Sequence, residues 1–359
     1  MRDKVKILVI NPGSTSTKIA VFENENKIFQ TNIAHEPEEL KKYKEIYHQL
    51  DFRKKAILDM LNMNNIKLSD MCAVVSRCGG LNYCEGGTYI VNEKTLEDCK
   101  IGIVGKHAAS LGPIIANDFA NEIGVKAYFV DPTTVDEMQP VARITGLPWI
   151  SRKSKFHALN QKAVARRLAK ELNKRYDEVN VVIAHLGGGI SVAAHQKGRV
   201  VDVTDSYCGD GPFSPNRCGA LPADEIVDMC FSGKYEKKDI MDLLTKNGGL
   251  LQHLGTSEVR EVVQRIANGD EKAALVYNAM IYQTAKAIGS YAAALGGKVD
   301  AVGLTGGIVN DKVLVAKIIE MVSFIAPVKV YPGEFEMEAL AEGCLRVLRG
   351  EETAKIYKG

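Results

Sequence analysis

The stretch Ile7-Leu8-Val9-Ile10-Asn11-Pro12-Gly13-Ser14-Thr15-Ser16-Thr17-Lys18 decides the fold, and it runs on into Ile19-Ala20-Val21-Phe22. Four apolar residues of strand-forming type enter Asn-Pro-Gly, then come four hydroxyl residues, a lysine and a second apolar run. The pattern is a strand, a tight turn and a returning strand. A turn of Gly13 and small hydroxyl residues leaves backbone N–H groups and Oγ atoms around its tip, with nothing bulky over them. Phosphate oxygens suit such a cluster of donors. An ordinary polar hairpin turn uses the same residues. Repetition of the device separates the two readings.

It recurs at Val181-Val182-Ile183-Ala184-His185-Leu186-Gly187-Gly188-Gly189-Ile190-Ser191-Val192-Ala193-Ala194. Laid over the first hairpin, His185 falls on Asn11 and Gly187 on Gly13. A further strand-like piece follows each, Lys27 to Gln30 and Arg199 to Val203. A third glycine turn stands at Val302-Gly303-Leu304-Thr305-Gly306-Gly307-Ile308-Val309-Asn310. A helix starting near Asn310 would aim its N-terminal N–H groups at an anion. The P-loop pattern is absent, because Gly105-Lys106 is followed by His107, and so is a G-x-G-x-x-G fingerprint. If phosphates bind here, another architecture holds them.

At 359 residues the chain is long enough for about two domains, each with its own core. Hydrophobic residues make up 46% and charged residues 25%, an ordinary globular composition. A net charge of +2, from 46 basic and 44 acidic residues, gives no sign of a nucleic-acid or membrane surface, so a small-molecule partner is expected. Of the eight cysteines, none forms the C-x-x-C pair typical of zinc sites. Met1-Arg2-Asp3-Lys4 leads directly into a strand without a signal-peptide core. No run approaches the roughly 18 apolar residues of a membrane span. The expectation is a reduced, cytoplasmic protein with free thiols.

Between the hairpins, Glu36 to Asn62 has helical spacing and Met71 to Ser76 reads as a buried strand ending at Arg77-Cys78-Gly79-Gly80. Leu96 to Ala120 predicts helical turns around His107. Val125 to Val130 is a strand with Asp131 at its end, and Trp149 to Ser154 reads as a link. Asn160 to Leu172, Asp270 to Leu295 and Glu336 to Leu348 predict helices. Alternating strands and helices make an α/β layer. Two such halves, each opening on a glycine-turn hairpin, predict a duplicated fold with a nucleotide in the cleft between them. The division falls into residues 1–150, with the C-terminal segment 335–359 packing back on them, and residues 151–334.

Ile7 to Lys18 and Val182 to Ser191 resemble the two signature motifs of the acetate/butyrate kinase family, and the resemblance runs from about Ile7 to Leu348. The inner segments Ser76-Arg77-Cys78-Gly79-Gly80-Leu81 and Gly211-Pro212-Phe213-Ser214-Pro215-Asn216-Arg217-Cys218-Gly219 resemble its butyrate kinase branch. The resemblance implies two duplicated actin-like (ribonuclease H-like) domains that close on their cleft. It implies phosphoryl transfer between ATP and a short-chain carboxylate, giving acyl phosphate and ADP with Mg²⁺, in a homodimer or higher homo-oligomer.

It also implies roles for matching residues. Arg77, Asp131, His185 and Arg217 are catalytic, and Arg77, Arg217, His107 and His157 bind the substrate. Nucleotide binding falls to Asn11, Gly13, Ser14, Thr15, Ser16, Lys18, His185, Gly187, Gly188, Gly189, Glu258, Arg260, Gly306, Gly307 and Ile308. Asn11 and Glu336 match the metal site, with Glu338 a near neighbour; hard oxygen ligands fit a largely hydrated Mg²⁺. Glu258-Val259-Arg260 departs from the family's Asp-Phe-Arg beside the adenine, and the valine removes an aromatic stacking surface.

The chemistry agrees with the motif. A carboxylic acid is already ionised at neutral pH, so no general base is needed. An anion approaching the γ-phosphate does need positive charge, which Arg77, Arg217 and a metal ion supply. Cys78, Leu81 and Phe213, beside the two arginines, are candidates for the acyl pocket. Each extra buried methylene there is worth roughly 0.8 kcal/mol. Two other classes share the hairpins: an ATP-driven binding protein, which leaves the arginines unexplained, and a sugar or alcohol kinase, which needs a base such as Asp131.

Overall fold

The computed structural model describes residues 4–359. Among them the chain divides into two compact units, one made of the residues up to Asp136 with Phe335–Gly359, the other of Glu137–Glu334. The first unit holds strands β1 (Lys6–Pro12), β2 (Ser16–Glu23), β3 (Asn26–Ala34), β4 (Ala73–Ser76), β5 (Thr88–Ile90) and β6 (Lys126–Val130), with β12 (Lys355–Ile356) from the chain's end. The second holds β7 (Asn180–Leu186), β8 (Ile190–Gln196), β9 (Arg199–Val203), β10 (Ala301–Gly306) and β11 (Val328–Pro332).

The sheet orders are β12-β5-β6-β4-β1-β2-β3 and β11-β10-β7-β8-β9. The run β6-β4-β1-β2-β3 repeats as β11-β10-β7-β8-β9 with the same directions. The hairpin pairs are antiparallel and the inner pairs parallel. Even the irregularity is shared: the register slips between Val21 and Phe22 in the first sheet and between Ala194 and His195 in the second. The expected duplication is therefore present strand for strand. Strands β1 and β7 are buried almost throughout, as continuous apolar runs covered on both faces must be, whereas β3 alternates at the edge.

One core packs β1, β2, β4 and β6 against the helix Leu111–Ile123 and includes Leu8, Ile10, Val21, Phe119 and Phe129. The C-terminal helix Glu336–Leu348 lies on β1, β4 and β6 of the same unit. The other core centres on the helix Glu271–Ala294. Its buried Val276, Met280, Ile281, Ile288 and Ala292 recur at helical spacing against β7 and β8.

Two helical expectations need correction. Glu36 to Asn62 is not one helix: a single turn at Pro37–Leu40 and a 3₁₀ turn at Ile46–Gln49 precede the helix Leu50–Met63. Lys41 to Glu45 carry almost no apolar side chain to bury, so nothing holds them helical. Leu96 to Ala120 is likewise broken. The helix Glu93–Ile101 stops at Gly102 (φ 71°), a left-handed cap, and Gly105 (φ 132°) follows before the chain becomes helical again at Ala108. The region 223–267 carries four helices not foreseen from the sequence. No helix among the described residues is long and apolar enough to cross a membrane.

Candidate active site

In the first unit, β1 and β4 run parallel and end together, which brings Asn11 and Arg77 to one edge of the sheet. The N-terminal turn of the helix Glu336–Leu348 meets them there. Glu336 Oε2 accepts hydrogen bonds from Asn11 Nδ2 at 2.8 Å and Arg77 Nη1 at 2.9 Å. Glu338 is turned away, paired with Lys27 at 2.9 Å. Lys18 is exposed and lies directly across the hairpin from Asn11. No group of three or more His, Cys, Asp or Glu side chains that would hold a metal occurs among the described residues. One carboxylate beside an amide oxygen suits a cation that keeps most of its water, as Mg²⁺ does.

His107 of the same unit lies near Arg77. Its Nδ1 accepts from Ala109 N–H at 3.1 Å, which puts the proton of the neutral ring on Nε2. Loss of surrounding water and the charges of Arg77 and Arg53 hold its pKa below the ordinary histidine value. Asp131, just past β6, is 2% exposed and left-handed (φ 38°); its Oδ1 accepts from Gly87 N–H at 2.7 Å, and its own N–H donates back to Gly87 O.

The first turn spans Gly13–Ser16, with Gly13 N–H bonded to Ser16 O at 2.8 Å; Ser14 and Thr15 are exposed at its tip. The second turn, Gly187–Gly189, is one residue shorter, and here His185 pairs with Ser191 across the hairpin as Asn11 pairs with Lys18. Asn160 Nδ2 lies 2.8 Å from His185 Nδ1 and donates to Thr305 Oγ1 at 3.2 Å. An amide donor on Nδ1 leaves Nε2 of the neutral ring protonated. His157 stacks on His185 with centroids 3.8 Å apart and rings 10° from parallel, and its Nδ1 contacts Ser191 Oγ at 2.8 Å.

Arg217 rests on the second turn. A Cβ on Gly189 would sit 2.2 Å from its Nη1, so only glycine admits the guanidinium there. Nη1 donates to Ser206 O at 2.6 Å, and burial lowers the pKa. The strand that follows the long helix brings the third glycine turn beside this one. Gly306 (φ 100°) crosses so close to β7 that a Cβ would meet Leu186 O at 2.2 Å.

A cavity of about 700 Å³ opens alongside, lined by Gly187, Gly188, Glu258, Arg260, Gly307 and Ile308 of the expected set. Val259 and Asn310, both noted in the sequence, line it too, as do Asn216, Ser257, Asp311, Lys312 and Glu334, which sequence reasoning had not singled out. Arg53 and Asn160 were also missed. Nothing in a charged run or at a helix start marks a buried partner of a distant turn. Of the acyl-pocket candidates, Cys78 and Leu81 are wholly buried in the first unit's core, and Phe213 is 8% exposed within the second's. Cys78 is turned inward onto Cys99, with sulfurs 3.8 Å apart.

Comparison with known proteins follows the same lines. The family model of the acetokinase family matches residues 146–332. Butyrate kinase 2 of Clostridium acetobutylicum is 53% identical over 355 residues, covering 99% of this chain and 100% of that protein. Among solved structures, acetate kinase of Porphyromonas gingivalis has a TM-score of 0.79 at 20% identity, covering 96% of this chain and 100% of its own. A propionate kinase of Francisella tularensis subsp. tularensis SCHU S4 has a TM-score of 0.73 at 21% identity, covering 94% and 98%. At such identities the two structures speak to the fold alone, and they agree with a doubled α/β architecture. With more than half of its residues shared with one relative along nearly its whole length, the chain belongs to the acetokinase family.

Proposed function

We propose that this chain transfers the γ-phosphoryl group of ATP, reversibly, to butyrate or a similar short or branched-chain acid, yielding an acyl phosphate and ADP. The observation that carries this is the 53% identity, end to end, with a butyrate kinase. The 700 Å³ cavity beside two glycine turns supports a nucleotide, with Glu258 and Arg260 on its adenosine side.

The residues divide the work by charge. The acid arrives ionised, so the barrier is the approach of one anion to another. Arg77 and Arg217 neutralise the carboxylate and the phosphoryl oxygens, and a planar fork holds either in a fixed orientation. His185, its Nδ1 tied to Asn160, presents Nε2–H to a phosphoryl oxygen, while His107 and His157 help to bind the acid. The Gly13–Ser16 and Gly187–Gly189 turns offer N–H groups to the phosphates. Mg²⁺, when bound, neutralises charge on the β- and γ-phosphate oxygens. Asn11 and Glu336 would hold it, largely through water.

A kinase for alcohols needs a base, and Asp131 Oδ1 is instead engaged by Gly87 N–H in an almost fully buried position. A homo-oligomer is part of the same proposal: Val141, Ile144, Trp149 and Ile150 are all at least half exposed within one short stretch. Light scattering tests it, and a monomer at micromolar concentration removes it.

The activity test traps the product. Enzyme, MgATP, a straight-chain acid and hydroxylamine should yield the hydroxamate, with butyrate among the best acids. ATP binding without hydroxamate from any short acid would overturn the proposal.

A further inference from the structure

We infer that Arg53 is a positioning residue for phosphoryl transfer: it gathers the carbonyl oxygens of the Gly13–Ser16 turn beneath the loop and leaves the N–H groups as the face offered to phosphate. The inference rests on the reading of that turn as a phosphate site. Arg53 belongs to the helix Leu50–Met63 and is wholly buried. Its Nη1 donates to Gly13 O at 3.0 Å, Ser16 O at 3.1 Å and Thr17 Oγ1 at 3.0 Å. Nη2 donates to Ser14 O at 3.2 Å, and Gln49 Oε1 holds Nε and Nη2 at 3.1 and 2.9 Å.

The remaining turn carbonyl, Thr15 O, accepts from His35 N–H at 2.9 Å. All four carbonyls of the turn are thus engaged by protein donors. Ser14 and Thr15 N–H donate to no protein group among the described residues, and both residues are exposed. The sorting is one-sided at the tip: its acceptors are engaged inward while Ser14 and Thr15 N–H stay open, and Gly13 N–H closes the turn on Ser16 O.

Charge points the same way. No carboxylate pairs with Arg53 among the described residues; every partner is a neutral oxygen. Burial lowers its pKa to about 10, which leaves it cationic at neutral pH. A buried cation without a counter-charge is costly, and the turn's oxygens meet only part of that cost. An anion on the outer face of the turn supplies the rest.

Four variants test this, each scored per folded molecule from its thermal melt: Arg53→Met, Arg53→Lys, Ser14→Glu and Ser14→Gln. Arg53→Met should raise KM for ATP and lower kcat, together costing about 10²-fold in kcat/KM for ATP, with KM for the acid little changed. Arg53→Lys keeps the charge without the fork and should recover part of the loss. A purely structural role would lower the melting temperature and the folded fraction but leave KM for ATP alone. Parent-like constants in folded Arg53→Met would overturn the inference. Should that variant not fold, parent-like constants in Arg53→Lys would overturn it instead. The Ser14 pair tests the underlying reading: Ser14→Glu should raise KM for ATP about tenfold over Ser14→Gln by repulsion at the tip. If the Ser14 pair behaves alike, the turn is not a phosphate site and both ideas fall. If only the Ser14 pair differs, Arg53 alone is wrong.

Discussion

A Cβ on Gly189 would lie 2.2 Å from Arg217 Nη1 and 2.7 Å from Cζ, so the guanidinium occupies the place where a side chain would begin. Gly189→Ala should therefore push Arg217 off the turn and lower kcat about 10²-fold, since displacements near 1 Å cost that much in an ordered site. Because Gly189 is not in the left-handed region, the melting temperature should change little. Steady-state kinetics beside a thermal melt separate the two effects, and a parent-like kcat would mean that Arg217 takes no part in transfer. Asn160 acts on His185 in a comparable way. Asn160→Leu removes the group that reaches both His185 Nδ1 and Thr305 Oγ1, leaving buried polar atoms short of partners at about 1–3 kcal/mol. Its kcat should fall even where the fold holds, and a loss confined to the denaturation midpoint would make Asn160 structural only.

At the scale of elements, the two hairpins were legible because apolar runs that end in glycine turns are read directly from order and type. Their shared register slip and strand order were not, since pairing is set by residues far apart in the chain. The segment Arg53-Lys54-Lys55 reads as a solvated charged face, yet Arg53 is buried because its acceptors are backbone oxygens about forty residues upstream. The break at Gly102 and Gly105 was visible as glycine, but the helical spacing on either side outweighed it. The helix Lys312–Val322 shows how an element edge also serves the site. Asp311 Oδ1 accepts from Val313 N–H at 2.9 Å and Leu314 N–H at 3.3 Å, its Oδ2 accepts from the Tyr277 hydroxyl, and the residue lines the cavity. Asp311→Ala removes the cap and strands Tyr277, a loss of about 1–2 kcal/mol in urea denaturation. Asp311→Asn keeps a capping oxygen and should lose less; equal losses would show that the cap contributes nothing.

Over the whole molecule, each unit buries a histidine in its neutral form. In the first, His35 Nε2 meets Thr17 Oγ1 at 2.8 Å, and burial with the Arg53 charge lowers its pKa to about 4. In the second, His195 lies between Tyr176 OH at 2.7 Å and Gln161 Oε1 at 3.1 Å, and burial followed by the Lys162 charge lowers its pKa to about 3. Gln161 donates its amide to Ser191, so its oxygen takes the His195 Nε2 proton and Nδ1 is left to accept from tyrosine. At both sites burial and a neighbouring cation disfavour a second proton. The folded pKa of each lies below the unfolded value near 6.5, so the unfolded chain binds more protons as the pH falls through 6.5 toward 4. The stabilisation is complete about one unit above pH 6.5 and is lost on acidification, on the order of 4 kcal/mol for the two histidines between pH 7.5 and 5. His107, whose pKa burial also lowers, adds to the same decline. Urea midpoints measured across that range should decline, and His35→Gln or His195→Gln should each remove a substantial part of the decline. Glutamine keeps a hydrogen-bonding group at either place but takes no proton, so a variant with the parent's full slope would show that its histidine is not the titrating group.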